Sequence, residues 1–221
     1  MLSNRLKAVY DAVVDSKVVA DICTDHALLP IELIKNKKVE KAYASDIAEG
    51  PLEFANKNIK VEGLEDKIET ILTDGMQGLP QDIDTIVMAG IGYYTVEEIL
   101  ENDIERLYNF KRIVVQVNKD TMLLRKWISD HHFTIIDETI VYDAMYYQVI
   151  SFNTTYHRTY SQLETTLGPI LMKKNEPLFL EYLEYFLLNV KDIYNKVPKH
   201  TKKSRLLREN IKSLQSVLDK E

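Results

Sequence analysis

Apolar positions along the chain follow two alternating rhythms. Short runs that are apolar on both faces occupy residues 17–22 (KVVADI), 41–47 (KAYASDI), 68–73 (IETILT), 84–89 (DTIVMA) and 112–118 (RIVVQVN). Several are rich in β-branched residues, as parallel strands covered on both sides require. Between them, at about 28–37, 51–61, 95–107 and 121–131, the pattern changes to that of helices. An amphipathic helix over 2–15 precedes the first run, with Ser3 as its N-cap and Leu2, Leu6, Val9 and Val13 on one face. Strand–helix alternation of this kind predicts a parallel sheet with right-handed crossovers.

The alternation stops at residue 133. Residues 133–141 (FTIIDETIV) and 145–152 (MYYQVISF) are two strand-like runs linked by only a few residues around Asp143. So short a link demands an antiparallel hairpin. A mostly parallel seven-stranded sheet finished by an antiparallel strand is the α/β arrangement of the class I, Rossmann-like methyltransferases. From about residue 160 the character shifts again, with a break at Gly168-Pro169. Phe179, Leu183, Phe186, Val190, Ile193 and Val197 recur at spacings of four and three, and Pro198 ends that helix. Leu207, Ile211, Leu214 and Leu218 resume the spacing, so a C-terminal helical coiled-coil hairpin is expected. The expected domains are 1–158, α/β, and 159–221, helical.

Composition narrows the possibilities. The chain has 221 residues, 45% hydrophobic and 28% charged, enough for one α/β domain and an appendage. No apolar run approaches the ~18 residues a membrane helix needs. Arg5, Lys7, Asp11 and Asp15 interrupt the N-terminal apolar positions, unlike a secretory leader. A single cysteine, Cys23, rules out an internal disulfide framework and a multi-cysteine zinc site. A cytoplasmic, metal-free monomer is expected. The net charge of −6 argues against a nucleic-acid partner, but the distribution changes that picture. Residues 1–150 carry 16 Lys+Arg against 26 Asp+Glu, whereas 151–221 carry 12 against 8. Lys196, Lys199, Lys202, Lys203, Arg205 and Arg208 lie in one segment without an acid. An acidic body therefore carries a basic tail.

Open parallel sheets bind ligands outside the carboxyl ends of their strands. After the first strand comes Asp21-Ile22-Cys23-Thr24-Asp25-His26, with no glycine and no G-x-G-x-x-G, which speaks against a dinucleotide fold. Cys23 and His26 lack the further ligands a metal would need, and Cys23 reads as a small buried residue rather than a reactive thiol. After the second strand, Asp46 can accept both hydroxyls of a ribose or simply cap the next helix. After the third, Asp74-Gly75 can accept an adenine amine or form an ordinary turn. After the fourth, Ala89-Gly90-Ile91-Gly92 suggests close approach of backbone to a ligand, and Tyr93 and Tyr94 can stack on a base or pack in the core. After the fifth, the amides of Gln116 and Asn118 can fix the Watson–Crick edge of adenine or cap a loop.

These residues resemble a known family. LSNRL (2–6), ADICTDHALLPIEL (20–33), ASDIAEGPLEFANKN (44–58), TDGM (73–76), AGIGYYTVEEIL (89–100), VVQVN (114–118), LRKWI (124–128) and LGPIL (167–171) are similar, in order, to the TrmK family. Its members are tRNA adenine-N1 methyltransferases acting on adenine 22 of the D-arm. The resemblance implies S-adenosylmethionine as cofactor and tRNA as partner. It implies cofactor contacts from Asp21, Cys23, Thr24, Asp25, His26, Asp46, Asp74, Gly75, Ala89, Gly90, Ile91 and Gly92. It also implies a catalytic pocket around 89–94 and the strand-5 end near Asn118. For Arg5, part of the family's N-terminal motif, it implies a reach to RNA or to that pocket rather than only solvation of a helix. Three departures stand out: Cys23 replaces a glycine, Tyr93 follows Gly92 where the family has A-G-M-G-G, and Val117 replaces the proline of Q-P-N.

The implied reaction is displacement at a sulfonium methyl by adenine N1, which already carries a lone pair. Asp25, His26, Tyr94 and Asn118 are candidates to orient the base or relay the N6 proton. Lys199, Lys202, Lys203, Arg205 and Arg208 are candidates for the RNA backbone, or a solvated tip. An enzyme of the same fold with another substrate, and a non-catalytic coiled-coil module, remain the alternatives.

Overall fold

The computed structural model describes residues 2–219; the outermost ends of the expected domains, at 1 and 220–221, lie outside the described residues. Strands β1 (Val18–Ile22), β2 (Lys41–Asp46), β3 (Ile68–Leu72), β4 (Thr85–Ile91) and β5 (Arg112–Val117) run parallel. Strands β6 (Thr134–Asp143) and β7 (Met145–Asn153) form the antiparallel hairpin, and β7 pairs antiparallel with β5. The sheet order is β3-β2-β1-β4-β5-β7-β6. The chain leaves β1 toward β2 and β3, then returns to β4 on the other side. That reversal opens the crevice between the carboxyl ends of β1 and β4.

Five helices alternate with or precede these strands: α1 (Asn4–Ala12), α2 (Leu28–Lys35), α3 (Glu49–Val61), α4 (Tyr93–Asn102) and α5 (Thr121–Asp130). Ser3 caps α1 as its sequence predicts, accepting from the Leu6 N–H at 3.3 Å. The doubly apolar strands feed two cores. Val19, Val87 and Val114 pack with Val9, Leu33 and Ala55 on one face, while Ala20, Met88 and Val115 pack with Val96, Leu124 and Trp127 on the other. Alternation of side chains along a strand makes this division.

Two boundaries differ from the sequence expectation for tertiary reasons. The helix expected over 95–107 ends at Asn102 and gives way to a 3-10 turn, Ile104–Asn109. There Asp103 Oδ2 accepts the Met76 N–H (3.0 Å) and Arg106 donates to the Met76 and Leu79 carbonyls, so the turn after β3 claims these side chains. β4 runs on to Ile91 through an irregularity in its pairing with β5 between Ala89 and Ile91.

The chain divides into two compact units, Met1–Ile170 and Leu171–Glu221. The sequence places 159–170 with the helical hairpin; the structure places these residues with the α/β unit. The Tyr160 N–H donates to Ser129 Oγ and its hydroxyl accepts the Ile135 N–H, both at 2.8 Å. Helix α6 (Gln162–Leu167) follows, closed by a Ser161–Glu164 capping box, and α7 (Pro169–Lys174) begins after Gly168. In the second unit α8 (Pro177–Lys196) and α9 (Lys202–Leu218) pack as the expected hairpin. The buried positions of α8 are Phe179, Leu183, Leu187 and Val190, so Leu187 takes the place expected for Phe186, and Ile193 is exposed. No helix among the described residues is long and apolar enough to cross a membrane, and no cluster suited to a metal ion occurs among them.

Candidate active site

The carboxyl ends of β1, β2 and β3 face α4 across a cleft of about 190 Å³. Cys23, Asp46, Asp74 and Gly75, each singled out in the sequence, line it. Asp46 does not cap α3, whose N-cap is Ala48. One of its oxygens, Oδ1, accepts the Ala48 N–H at 2.9 Å, and Oδ2 makes no hydrogen bond among the described residues. Gly75, at φ +59°, turns the chain where a Cβ would press on Ile99 at 3.3 Å. The far wall was missed by the sequence reading: Thr95, Glu98, Ile99 and Asn102 of α4, and Asp103 after it. Its signal was present, since 95, 98 and 102 share one helix face at three- and four-residue spacing. Ile22, Ile47 and Ile99 supply apolar surface.

The loop after β1 lacks glycine yet takes left-handed backbone at Cys23 (φ +58°), His26 (φ +60°) and Ala27 (φ +54°). Each such residue costs about 1–2 kcal/mol. Surrounding bonds hold the loop in place. The Thr24 N–H donates to the Ser45 carbonyl (2.9 Å), the Thr24 hydroxyl to Asp21 Oδ2 (2.7 Å), and Asn58 Nδ2 to the His26 carbonyl (3.0 Å). Asp21 and Thr24 are buried behind the loop, whereas Asp25 is exposed and lies 3.1 Å from His26 Nε2. Burial first, then the charges of Asp46, Asp21 and Asp74, push the Cys23 thiol up to about 11, which makes it a poor nucleophile.

Burial also pushes the Asp21 carboxyl up to about 7; the Thr24 hydroxyl opposes this and the Asp46 charge adds to it. An unfolded aspartate titrates near ~3.9, so folding binds a proton at Asp21 between those values. The stability this carboxyl contributes is complete below its unfolded pKa and is lost as pH rises toward 7. Asp21→Asn, neutral at all pH, is expected to gain on the parent by roughly 3 kcal/mol between about pH 4.5 and pH 8. Urea unfolding of the ligand-free proteins at the two pH values measures this, and parallel pH profiles refute it.

At the neighbouring ends of β4 and β5 the structure gathers Ala89–Gly92, Gln116, Asn118 and Arg5. Gly90 has φ +80°. Its N–H donates to Gln116 Oε1 (3.0 Å), and its carbonyl accepts Asn118 Nδ2 (2.7 Å). That second bond fixes the Asn118 amide, because a carbonyl can only accept; Oδ1 is the atom left over. Gln116 is 0% exposed and its Nε2 donates to the Val117 carbonyl, so its amide is spent inside the protein. Of the two tyrosines, Tyr93 is 7% exposed and donates to Glu97, while Tyr94 is 69% exposed.

The basic residues of the tail lie in the second unit. Lys199, Arg205 and Arg208 line a cleft with Tyr194, His200 and Ser204 where α8 turns into α9, and Lys202 and Lys203 are exposed beside it in sequence.

A sequence profile described as "TrmK: tRNA (adenine(22)-N(1))-methyltransferase" matches residues 19–216. The tRNA (adenine(22)-N(1))-methyltransferase of Bacillus subtilis is 26% identical over 231 residues, covering 99% of this chain and 97% of that protein. The structure of M. capricolum TrmK with S-adenosyl-homocysteine superposes with a TM-score of 0.86 at 33% identity, covering 99% of this chain and 98% of that one. A Streptococcus pneumoniae protein in complex with S-adenosyl-L-methionine superposes at 0.88 with 29% identity, over 99% of this chain and 100% of that one. A seven-stranded sheet with a hairpin ending, an acid-lined cleft at its switch point and a profile match over nearly the whole chain converge: this chain belongs to the TrmK family of tRNA (adenine(22)-N(1))-methyltransferases.

Proposed function

We propose that the cleft beneath α4 holds S-adenosylmethionine and that the Gly90–Asn118 turn beside it receives the adenine whose N1 is methylated. The residues present fit such a cofactor. Asp46 keeps one carboxylate oxygen for ribose hydroxyls, Asp74 offers an acceptor for an adenine amine, and Ile22, Ile47 and Ile99 form an apolar slot. A carboxylate-rich wall also suits a cationic ligand. Bound there, the cofactor supplies an electrophilic methyl group on a sulfonium.

The protein's own task is then placement. Adenine N1 has its lone pair at neutral pH, so no side chain need activate it, and in-line positioning carries most of the rate. Asn118 turns its Oδ1 away from Gly90 and accepts from the adenine N6 amine, which orients N1. Tyr94 gives the base an exposed aromatic face. The methylated base is cationic until N6 loses a proton, and the Asp25–His26 pair on the same rim can take it. Because N1 lies on the pairing edge, a paired adenine has to be unstacked first, at a cost of a few kcal/mol.

The single observation carrying this reading is the amide-pinned Gly90 turn next to the acid-lined cleft. Transfer of labelled methyl to purified unmodified tRNA, mapped by nucleotide, is expected to place the label on N1 of adenine 22. Labelling of a protein or small molecule instead, with none on tRNA, contradicts it.

The basic turn of the second unit serves the RNA backbone in this reading. Replacing Lys202, Lys203 and Arg205 together with alanine is expected to weaken tRNA binding and to flatten its log–log salt dependence by about 2 to 3. Unchanged affinity and slope would take the turn out of the RNA interface.

A further inference from the structure

Arg5 lies outside the segment matched by the family profile, which begins at residue 19, and it does not line the cofactor cleft. Its placement is nevertheless highly determined. The Arg5 N–H donates to Asp143 Oδ2 at 3.0 Å, and Asn4 Nδ2 donates to the Tyr142 carbonyl at 3.3 Å, which ties the first turn of α1 to the tip of the β6–β7 hairpin. The guanidinium then reaches toward β4 and β5. Its Nη1 donates to Gln116 Oε1 at 2.6 Å, the same oxygen that accepts the Gly90 N–H. A Cβ on Gly90 would lie 2.8 Å from that Nη1, so Arg5 covers the turn directly.

Gly90 sits where the β4–β5 pairing is irregular. At a bulge the backbone groups lose regular ladder partners and need others. Here both come from side chains of the neighbouring strand segment, Gln116 for the N–H and Asn118 for the carbonyl. The Val117 carbonyl at Nε2 and the Gly90 N–H at Oε1 set which way the Gln116 amide faces. The Arg5 cation on Oε1 adds a charge-assisted bond that braces the amide in that place, and its guanidinium covers Gly90 directly. Without Arg5, the side chain that holds the Gly90 N–H loses this brace and the turn loses its cover.

We infer that Arg5 is a positioning residue for methyl transfer: through Gln116 it holds the Gly90 turn in the shape that aims Asn118 at the target base. This rests on the reading that the Gly90–Asn118 turn receives the adenine. It decides between the two destinations the sequence leaves open for Arg5, RNA and the pocket, because a phosphate contact acts on affinity and salt dependence, whereas a positioning residue acts on turnover.

The test uses the full-length protein and its Arg5→Ala and Arg5→Lys variants with two readouts. In steady-state methylation of tRNA, Arg5→Ala is expected to lose roughly 10- to 100-fold in kcat. KM for tRNA and affinity for S-adenosylmethionine stay within about threefold of the parent, and the salt slope of tRNA binding is unchanged. Arg5→Lys, which keeps a cationic donor, recovers part of the loss. The second readout needs no activity. The chain has seven glycines, so an amide spectrum of protein labelled with ¹⁵N-glycine is sparse. The Gly90 resonance is expected to shift and its hydrogen exchange to accelerate in Arg5→Ala, with partial return in Arg5→Lys, while glycines distant from the turn are unchanged. Weaker tRNA binding with a salt slope reduced by about 1 and an undisturbed Gly90 overturns the inference in favour of a phosphate contact. Unchanged kcat with unchanged Gly90 overturns it outright. Should the parent methylate no tRNA, the functional reading fails, and the Gly90 exchange rates still decide whether Arg5 holds the turn.

Discussion

Asp46→Ala is expected to weaken S-adenosylmethionine binding by about 100-fold or more while the protein stays folded. The carboxylate stands at the end of β2 inside the cleft, and Oδ2 makes no hydrogen bond among the described residues. Two charge-assisted bonds to ribose hydroxyls, at about 1.5 kcal/mol or more each, amount to about 3 kcal/mol, which is two decades in affinity. The internal contribution is small by comparison. Only the Ala48 N–H bond is lost, at a site open to solvent, for about 1 kcal/mol. Titration calorimetry with the cofactor, alongside thermal unfolding of the free protein, separates the two effects. Asp46→Asn keeps an acceptor oxygen and is expected to fall between parent and alanine variant. Affinity within threefold of the parent for Asp46→Ala contradicts the assignment.

The largest stability loss is expected from Glu138→Ala, a change well away from the cleft. Arg125 and Glu138 are 1% and 0% exposed, joined by an Nε–Oε1 bond of 2.6 Å. Arg125 Nη2 donates to Gln148 Oε1 at 2.6 Å, and Glu138 Oε2 accepts the Ile170 N–H at 2.8 Å. Removing the carboxylate strands a buried guanidinium, which costs about 3–5 kcal/mol, against a total of about 5–15 kcal/mol for an ordinary domain. Glu138→Gln, which keeps the shape and one acceptor, is expected to lose less. Gly168 belongs to the same cluster. It has φ +97°, and a Cβ there would meet Arg125 Nη2 and Glu138 Oε2 at 2.7 Å each, so Gly168→Ala should also destabilise strongly. Urea unfolding measures all three. A loss below about 1 kcal/mol for Glu138→Ala would show that water or rearrangement satisfies Arg125.

Glu138 also illustrates what the sequence conceals. L-G-P-I-L at 167–171 is readable as a break and as part of a family pattern, but its glycine is required by two buried side chains from α5 and β6. Contacts between residues so far apart leave no periodic trace. Strands were legible because burial on both faces writes continuous apolar runs, and the hairpin because its link is too short for a crossover. The acids of the cleft were legible from their position after successive strands. Their partners on α4 were not, since Thr95, Glu98 and Asn102 look like an ordinary polar helix face until the helix is laid across the strand ends. Gln116 shows a different limit. The sequence offers Gln116 and Asn118 equally as readers of adenine, and only burial reveals that the first is consumed internally while the second keeps an outward acceptor. The missing glycine at Cys23 was visible, whereas the left-handed backbone that persists there, braced by Thr24 and Asn58, was not.

One claim supports the rest: the rim formed by the ends of β1 to β5 is a single cradle, with the nucleoside between Asp46 and Asp74 and the reacting end toward Gly90 and Asn118. A crystal structure of the protein grown with S-adenosylhomocysteine tests it most directly. The ribose hydroxyls on the Asp46 carboxylate, the adenine beside Asp74 and the sulfur facing the Gly90 turn are the predicted result. An empty cleft at saturating ligand, or a ligand seated elsewhere on the protein, contradicts it.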